Sequence, residues 1–416
     1  MQKISLLGIV GQALSITAPI TDLGKEQNLA IQEAVKIQVI EKQLSHEEFQ
    51  GEAREAAEKE LPGLKERHAE REAAKKKAEE AGEPLPQAMD PKIWAAVIGL
   101  VTILLLTVGG FSFIEVFCTV LVGAFTLITV VNLFALQSYG GWAVSWEELK
   151  YGLSLDIARD DNGESSLGVA LATFGIIGVG AAELVGYPYW CLEKGYGKSI
   201  GPKDDSKEWI TRAKGWLRVM KWDAWISMVV YTFSTIAFFL LGAAILHRVG
   251  LVPEGMGIVS TLSVMYEPVF GKGAMMIFLI GAFAVLFSTF FVANAQKARL
   301  ATDALNVFGV AKMSEAGRKK SVKVFSVLFP LTCVLIYVIY PGKPGMLVLA
   351  SGVMQAMLLP MLGFATLYFR YKRCDPRLKP TPVWDAMLWV SFVCFTVIGI
   401  YFAWTKGGDL INAVFG

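Results

Sequence analysis

A glutamate in the middle of an apolar stretch is the feature of this sequence most able to do chemistry. Glu183 lies within residues 171–190, which read LATFGIIGVGAAELVGYPYW. An ionisable side chain near a bilayer midplane costs several kcal/mol, so it normally faces a cavity or a partner. The glycines around Glu183 and Pro188 beyond it are typical of a membrane helix that unwinds. The sequence therefore predicts a discontinuous helix over residues 167–190, with the break around Gly178–Ala182.

An unwound helix of this kind offers oxygen ligands to a cation. Its freed carbonyl groups are tolerated inside a membrane only where they line a cavity, and with an acidic side chain they form the cation sites of secondary transporters. The predicted metal ligands are Glu183, Gly180, Ala181, Ala182, Tyr187, Asn294 and Gln355. In a second interpretation, the glycines only allow close helix packing, and Glu183 hydrogen-bonds to a neighbouring helix.

The composition places these residues in an integral membrane protein. Of the 416 residues, 54% are hydrophobic and 18% are charged, and the mean hydropathy is +0.48. Soluble domains carry roughly 25% charged residues. A hydrocarbon core about 30 Å thick is crossed by roughly 20 apolar residues in a helix. Eight stretches meet that requirement: 93–111, 113–136, 167–190, 223–247, 273–296, 324–341, 344–369 and 384–405.

A ninth apolar stretch, Ile4–Ile20, is barely long enough to span a bilayer. A signal peptide is one interpretation, because Lys3 precedes a short apolar core. However, polar residues such as Gln12 dilute that core and no clean cleavage site follows, so we expect a span or the remnant of one. The predicted fold class is an all-α integral membrane protein with about nine transmembrane helices.

Basic residues are concentrated in every second connecting segment. The basic segments are 191–222, 298–323 and 370–383, whereas 138–166, 249–272 and 341–345 are poor in Lys and Arg. Because Lys and Arg accumulate on the cytoplasmic side of membrane proteins, the basic segments are predicted to be cytoplasmic. The C-terminus and the charged segment 22–92 are then predicted to lie outside the cell membrane.

The charged segment 22–92 interrupts the apolar sequence. Residues 26–83 are rich in Ala, Glu, Lys and Gln, which favours helix, and Pro62-Gly63 predicts an interruption. We expect a solvated helical hairpin outside the membrane. The predicted organisation is a first apolar span (1–21), an extramembrane insertion (22–92) and a transmembrane core (93–416).

Other function classes have little support in the sequence. The net charge of +2 and the lack of a basic stripe with interleaved aromatic residues argue against nucleic-acid binding. The five cysteines have no C-x-x-C spacing, which argues against a disulfide or zinc framework. The sequence contains no nucleophile–base pair and no phosphate-binding loop, so we expect neither an enzymatic activity nor a cofactor.

Several stretches resemble a known transporter family. The segment GVGAAELVGYPYWCLEKGYGKSIGP, followed by WLRVMKWDAWISMVVYTFSTIAFFLLGAAIL, resembles a bacterial branch of the Nramp divalent metal transporter family. The segments FAVLFSTFFVANAQKARL and LVLASGVMQAMLLPMLGFATLYF resemble the eighth and tenth helices of that family. The likeness covers most of residues 93–405.

The resemblance implies a LeuT-like fold of eleven helices, made of two inverted five-helix repeats and one additional helix. It also implies alternating-access transport of divalent cations, often coupled to protons. On that scheme residues 167–190 are the sixth helix and residues 223–405 supply helices seven to eleven. The spans at 4–20, 93–111 and 113–136 correspond to helices three to five, so we expect the first two family helices to be missing.

The sequence departs from the family at the positions of the metal ligands. The Asp-Pro-Gly-Asn motif of the family's first helix, which supplies half of the ligands, occurs nowhere in this chain. In the sixth helix, aligning Gly180 and Ala181 with the family's Gly-Ala places other residues at its methionine, proline and histidine. These are Leu184, Val185 and Gly186. We therefore expect this chain to have the fold of the family with a different set of metal ligands.

The leading hypothesis is a secondary transporter of divalent cations whose site is built around Glu183. In the tenth helix, alignment on Pro360 places Gly352 at the family's glutamine, and Gln355 lies about one turn away. A carboxylate in place of a thioether favours hard ions of the Mn²⁺, Mg²⁺ and Fe²⁺ class. The alternatives are a transporter of a small organic solute such as an amino acid, and a truncated or non-transporting assembly subunit of the same fold.

Overall fold

The computed structural model is largely helical, and the part of the chain that it describes contains no β-strand. It describes residues 2–45, 52–81, 88–108, 111–139, 141–154, 167–174, 180–253, 257–340 and 344–415. The α-helices are α1 (Gln2–Thr17), α2 (Asp22–Ser45), α3 (Glu52–Glu80), α4 (Asp90–Val108), α5 (Phe111–Leu136), α6 (Trp146–Gly152), α7 (Leu167–Phe174), α8 (Ala181–Glu193), α9 (Lys207–Leu241), α10 (Ile258–Ser263), α11 (Glu267–Phe270), α12 (Ala274–Val307), α13 (Glu315–Ile339), α14 (Pro344–Tyr368) and α15 (Pro382–Phe415). Segments of π-helix extend α9 over Gly242–His247 and α14 over Phe369–Arg373.

Seven of the described helical segments are long and apolar enough to cross a membrane. They are Asp90–Val108, Thr119–Leu136, Lys207–His247, Ile258–Val307, Glu315–Ile339, Met346–Arg373 and Pro382–Thr405. Taken together, α1 and α2 would make an eighth, although they are bent by 97°. The prediction of an all-α, multi-pass membrane protein is therefore confirmed.

Several helices continue well beyond the predicted apolar stretches. Helix α9 already begins at Lys207, α12 ends at Val307, and α13 begins at Glu315. Apolar composition marks only the part of a helix that lies in the hydrocarbon core, whereas backbone hydrogen bonding continues through polar sequence that contains good helix formers. Seven of the eight apolar stretches coincide with these spans, the exception being residues 167–190, and they underestimated the lengths of these helices.

The chain divides into two compact units, residues 1–154 with 236–347 (unit 1) and residues 155–235 with 348–416 (unit 2). In unit 1, α1 packs against α4, α12 and α13. Its buried residues are distributed around the whole helix, as expected for a helix that is apolar on all sides. Gly11 permits the close approach to α4, because a Cβ atom there would overlap the backbone oxygen of Pro91. Helix α1 is therefore a central helix of unit 1.

A buried carboxylate fixes the corner between α1 and α2. Asp90, at the start of α4, is fully buried. It accepts hydrogen bonds from the backbone N–H groups of Ile20 (2.6 Å) and Thr21 (3.0 Å) and from the Thr21 hydroxyl group (2.5 Å). The carboxylate lies against Gly24, where a Cβ atom would overlap it. Asp90 thereby satisfies the backbone donors that precede α2 and holds the two helices at their sharp angle.

Helices α2 and α3 pair through a small apolar cluster. Ile37 and Ile40 of α2 pack against Ala57 and Leu64 of α3. The predicted interruption at Pro62-Gly63 is wrong, because α3 runs through Pro62. A proline inside a helix removes one hydrogen bond and costs about 3 kcal/mol. The contacts of Ala57 and Leu64 with α2, on both sides of the proline, offset that cost and keep the helix continuous.

Candidate metal site at the α7–α8 break

The helix around Glu183 is discontinuous, as predicted, but Ala181 and Ala182, which were expected within the break, lie in the first turn of α8. Helix α7 ends at Phe174 and α8 begins at Ala181, and residues 175–179 lie outside the described residues. Gly180 has extended backbone geometry, with φ −72° and ψ 169°. A continuous helix cannot pass through that conformation, so the break includes Gly180.

The proline that the sequence offered as a helix breaker lies inside α8 instead. Helix α8 continues through Pro188 to Glu193. Because proline has no N–H group, it cannot donate to the carbonyl of Leu184 four residues earlier. Pro188 therefore removes one helical hydrogen bond without ending α8.

Two side-chain oxygens meet over Gly180. A Cβ atom on Gly180 would lie 2.5 Å from Oε1 of Gln355 and 2.6 Å from Oε2 of Glu183. Gln355 comes from α14 and is only 7% exposed, and its Oε1 accepts a hydrogen bond of 3.4 Å from the Ala182 N–H group. Glycine at position 180 leaves open the space that both oxygens occupy, and a side chain there would displace them. Unit 2 thus brings Gly180, Ala182, Glu183 and Gln355 together.

The backbone at this end of α8 presents donors. Ala181, Ala182 and Glu183 open the helix, so their N–H groups have no partner within it. The Gly180 carbonyl accepts a hydrogen bond of 3.1 Å from the Leu184 N–H group. Glu183 stands in the first turn of α8, where the helix macrodipole stabilises a negative charge. The carbonyls of Gly180, Ala181 and Ala182 remain predicted ligands, whereas the geometry favours side-chain oxygens.

Two of the predicted supporting ligands have other partners. The Tyr187 hydroxyl group donates to Oδ2 of Asp223 on α9 at 2.9 Å. Asn294 lies on α12 in unit 1, where its amide group donates to the Phe290 carbonyl (2.8 Å) and accepts from Nζ of Lys3 (2.8 Å). Of these two residues, only Tyr187 belongs to the same unit as the helix break.

The chemistry available at the break is that of hard oxygen ligands. A carboxylate and an amide oxygen are both ligands that Mg²⁺ and Mn²⁺ accept. Within the described ranges, no group of three or more His, Cys, Asp or Glu side chains comes together to hold a metal. A site with one carboxylate carries little ligand charge, and affinity for such cations falls with the number of charged ligands. The arrangement therefore suits an ion that must be released again.

Comparison with protein families identifies the class of the protein. The family described as Nramp, Natural resistance-associated macrophage protein-like, matches residues 81–405. That range contains the α7–α8 break, Glu183 and Gln355. A comparison with curated proteins found no match. The resemblance to divalent metal transporters is thereby confirmed, while the bacterial branch and the missing family helices remain predictions. The chain belongs to the Nramp family, which is a family of multi-pass membrane transporters of divalent metal ions and not a family of enzymes.

Proposed function

We propose that this protein moves divalent cations of the Mn²⁺, Mg²⁺ and Fe²⁺ class across the cell membrane by alternating access, with Glu183 as the charged ligand. The observation that carries the proposal is the meeting of Glu183 Oε2 and Gln355 Oε1 over Gly180, at the end of a broken helix. Both oxygens come from side chains that can turn towards an ion without unfolding α8.

The ligand set supports a hard ion. Glu183 supplies a carboxylate oxygen and Gln355 supplies an amide oxygen. Oxygen-only sites prefer Mg²⁺ and Mn²⁺ over softer metals, which seek sulfur ligands. Leu184 also stands where the family has a methionine, so the side chain at that position contributes no thioether.

Proton coupling follows from the same carboxylate. Glu183 must be ionised to bind a cation, so metal binding and proton release are linked. Tyr187 lies four residues after Glu183, on the same face of α8, and its hydroxyl group is bonded to Asp223. Asp223 is thus a second carboxylate, connected to α8, that is available to accept a proton when Glu183 binds metal.

The geometry favours a metal ion over an organic solute. The N-terminal end of α8 would suit the carboxylate of an amino acid, but the Glu183 side chain already places a carboxylate oxygen over Gly180. A second carboxylate at that point would be repelled, whereas a cation would be attracted. For this reason the amino-acid alternative is the weaker of the two.

Uptake into proteoliposomes tests the proposal. Purified wild-type protein, Glu183→Gln and Gln355→Ala are compared with Glu208→Gln, an exposed carboxylate in the first turn of α9, using a metal-sensitive dye trapped inside the vesicles. We expect Glu183→Gln to abolish Mn²⁺ uptake, Gln355→Ala to slow it, and Glu208→Gln to behave as wild type. An acidic exterior should accelerate wild-type uptake.

Other outcomes identify the alternatives. Wild-type transport by Glu183→Gln that elutes as a folded protein in size exclusion would refute the site. Uptake of an amino acid without uptake of Mn²⁺, Mg²⁺ or Fe²⁺ would favour an organic solute, and no uptake of either kind would favour a non-transporting subunit.

A further inference from the structure

A cavity of about 320 Å³ lies in unit 1, where α2 meets the segment that precedes α12. Val39 and Gln43 line it from α2, Trp142 lines it from the turn after α5, and Glu267 and Lys272 line it from the segment before α12. The volume falls at the lower end of the range for small-molecule sites, roughly 300–1,000 Å³. Helix α2, which supplies one wall of this cavity, precedes the range of the family match, residues 81–405.

The polar groups of the cavity are not paired with each other. Within the described part of the chain, Gln43, Glu267 and Lys272 make no side-chain hydrogen bond or ion pair. Lys36, also at the cavity, is paired with Glu60 at 2.5 Å. Lys36 lies close enough to Glu267 to interact with it electrostatically. The cavity is therefore lined by a carboxylate, by the ammonium groups of Lys36 and Lys272, and by an amide group.

We infer that this cavity binds a small zwitterion with an apolar body, of the amino-acid class. The ligand's ammonium group pairs with Glu267 and its carboxylate with Lys272, while Gln43 offers both a donor and an acceptor. Val39 and the Trp142 ring provide the apolar wall against which the body of the ligand packs.

Charge complementarity selects a zwitterion over singly charged ligands. A simple cation would meet two like charges, Lys36 and Lys272, and a simple anion would meet one, Glu267, so each leaves at least one like charge unfavourably close. A divalent metal ion would find a single carboxylate there, and sites for such ions use several oxygen ligands. Only a ligand with both charges satisfies both sides of the cavity.

Occupancy would link α2 to the segment that leads into α12. The cavity walls come from both elements, so a bound ligand bridges them and stabilises the contact. By the predicted topology the cavity opens on the external side. The inference concerns unit 1 and does not depend on the proposed metal site at the α7–α8 break.

Binding to the purified full chain in detergent tests this inference. L-leucine is compared with leucinamide, which has only the ammonium charge, with 4-methylpentanoate, which has only the carboxylate, and with MnCl₂. Calorimetry measures affinity, and thermal unfolding measures stabilisation. We expect saturable leucine binding and an affinity at least tenfold lower for each singly charged analogue.

Substitutions locate the site. Glu267→Gln and Lys272→Met should each weaken leucine binding tenfold or more, and Gln43→Trp should block it by filling the cavity without changing charge. The matched controls are Glu315→Gln and Lys319→Met, because these side chains are 87% and 79% exposed on α13. The controls should bind leucine as wild type does.

Three results would overturn the inference. They are the absence of saturable leucine binding to wild type, leucine binding that survives both Glu267→Gln and Lys272→Met, and leucine binding that Glu183→Gln removes instead. Mn²⁺ uptake by Glu267→Gln should equal wild-type uptake, so failure of the metal-transport proposal and failure of this one are distinguishable.

Discussion

Replacing Gly180 with alanine tests the geometry of the metal site most directly. The backbone of Gly180 has φ −72° and ψ 169°, which alanine adopts without strain. The new methyl group would lie 2.5 Å from Gln355 Oε1 and 2.6 Å from Glu183 Oε2. To reach ordinary van der Waals separation, each oxygen must retreat by roughly 1 Å.

The expected magnitudes separate folding from binding. Gly→Ala at a compatible position stabilises a protein by about 0.4–1 kcal/mol, and loss of the Ala182–Gln355 hydrogen bond costs about 0.5–1.5 kcal/mol. These effects nearly cancel, so the free energy of unfolding should change by no more than about 1 kcal/mol. A displaced charged ligand loses about 1.5–3 kcal/mol of interaction with the ion, which corresponds to a fall in metal affinity of roughly 10- to 150-fold.

The assay is Mn²⁺ titration calorimetry together with thermal unfolding of Gly180→Ala, using Gly281→Ala as the contrasting variant. A Cβ atom at Gly281 would overlap the ring of Phe125, which is 5% exposed in the core of unit 1. Overpacking of this kind costs about 1–3 kcal/mol, so Gly281→Ala should lower stability. If Gly180→Ala binds Mn²⁺ with wild-type affinity, the oxygens over Gly180 do not bind the ion. If Gly180→Ala loses as much stability as Gly281→Ala, the expected near-cancellation in the free energy of unfolding is wrong.

Three further predictions concern the scaffold. Asp90→Asn should lower the free energy of unfolding, measured by denaturant titration, by about 1–3 kcal/mol. The reason is that one of the two oxygens that accept hydrogen bonds from Thr21 becomes a donor. Unchanged stability would contradict the role of Asp90 in fixing the corner between α1 and α2. Hydrogen bonds from Arg377 hold the pKa of Asp375 well below its usual range. The carboxylate therefore stabilises the fold above its unfolded pKa of about 4 and loses that effect as the pH falls. The difference in melting temperature between wild type and Asp375→Asn should narrow between pH 6 and pH 3, and a difference that widens would show that the pH dependence has the opposite sign. A single cysteine at Lys207 should resist an impermeant thiol reagent in intact cells, and rapid labelling would reverse the predicted topology.

The sequence predicted the broken helix correctly and misplaced several helix boundaries. Glycine density around Glu183 was enough to predict the break that the structure has at Gly180. The pairing of Glu183 with Gln355 was only suggested, because it depends on how α14 packs beside α8, and sequence spacing carries no information on such contacts. Pro62 and Pro188 were both interpreted as helix breakers, yet each lies inside a helix. A proline removes one hydrogen bond, and tertiary packing can outweigh that loss.

The helix break explains how Glu183 is tolerated and why it is useful. A carboxylate in an apolar helix is costly, but Glu183 stands in the first turn of α8, where the helix macrodipole stabilises its negative charge. The extended backbone of Gly180 creates that helix start and also leaves the space in which Glu183 and Gln355 place their oxygens. A helix running unbroken through Gly180 would remove both features together. The two interpretations of Glu183, a structural residue and a metal ligand, are therefore compatible, because the same local geometry that stabilises the charge also presents it to a cation.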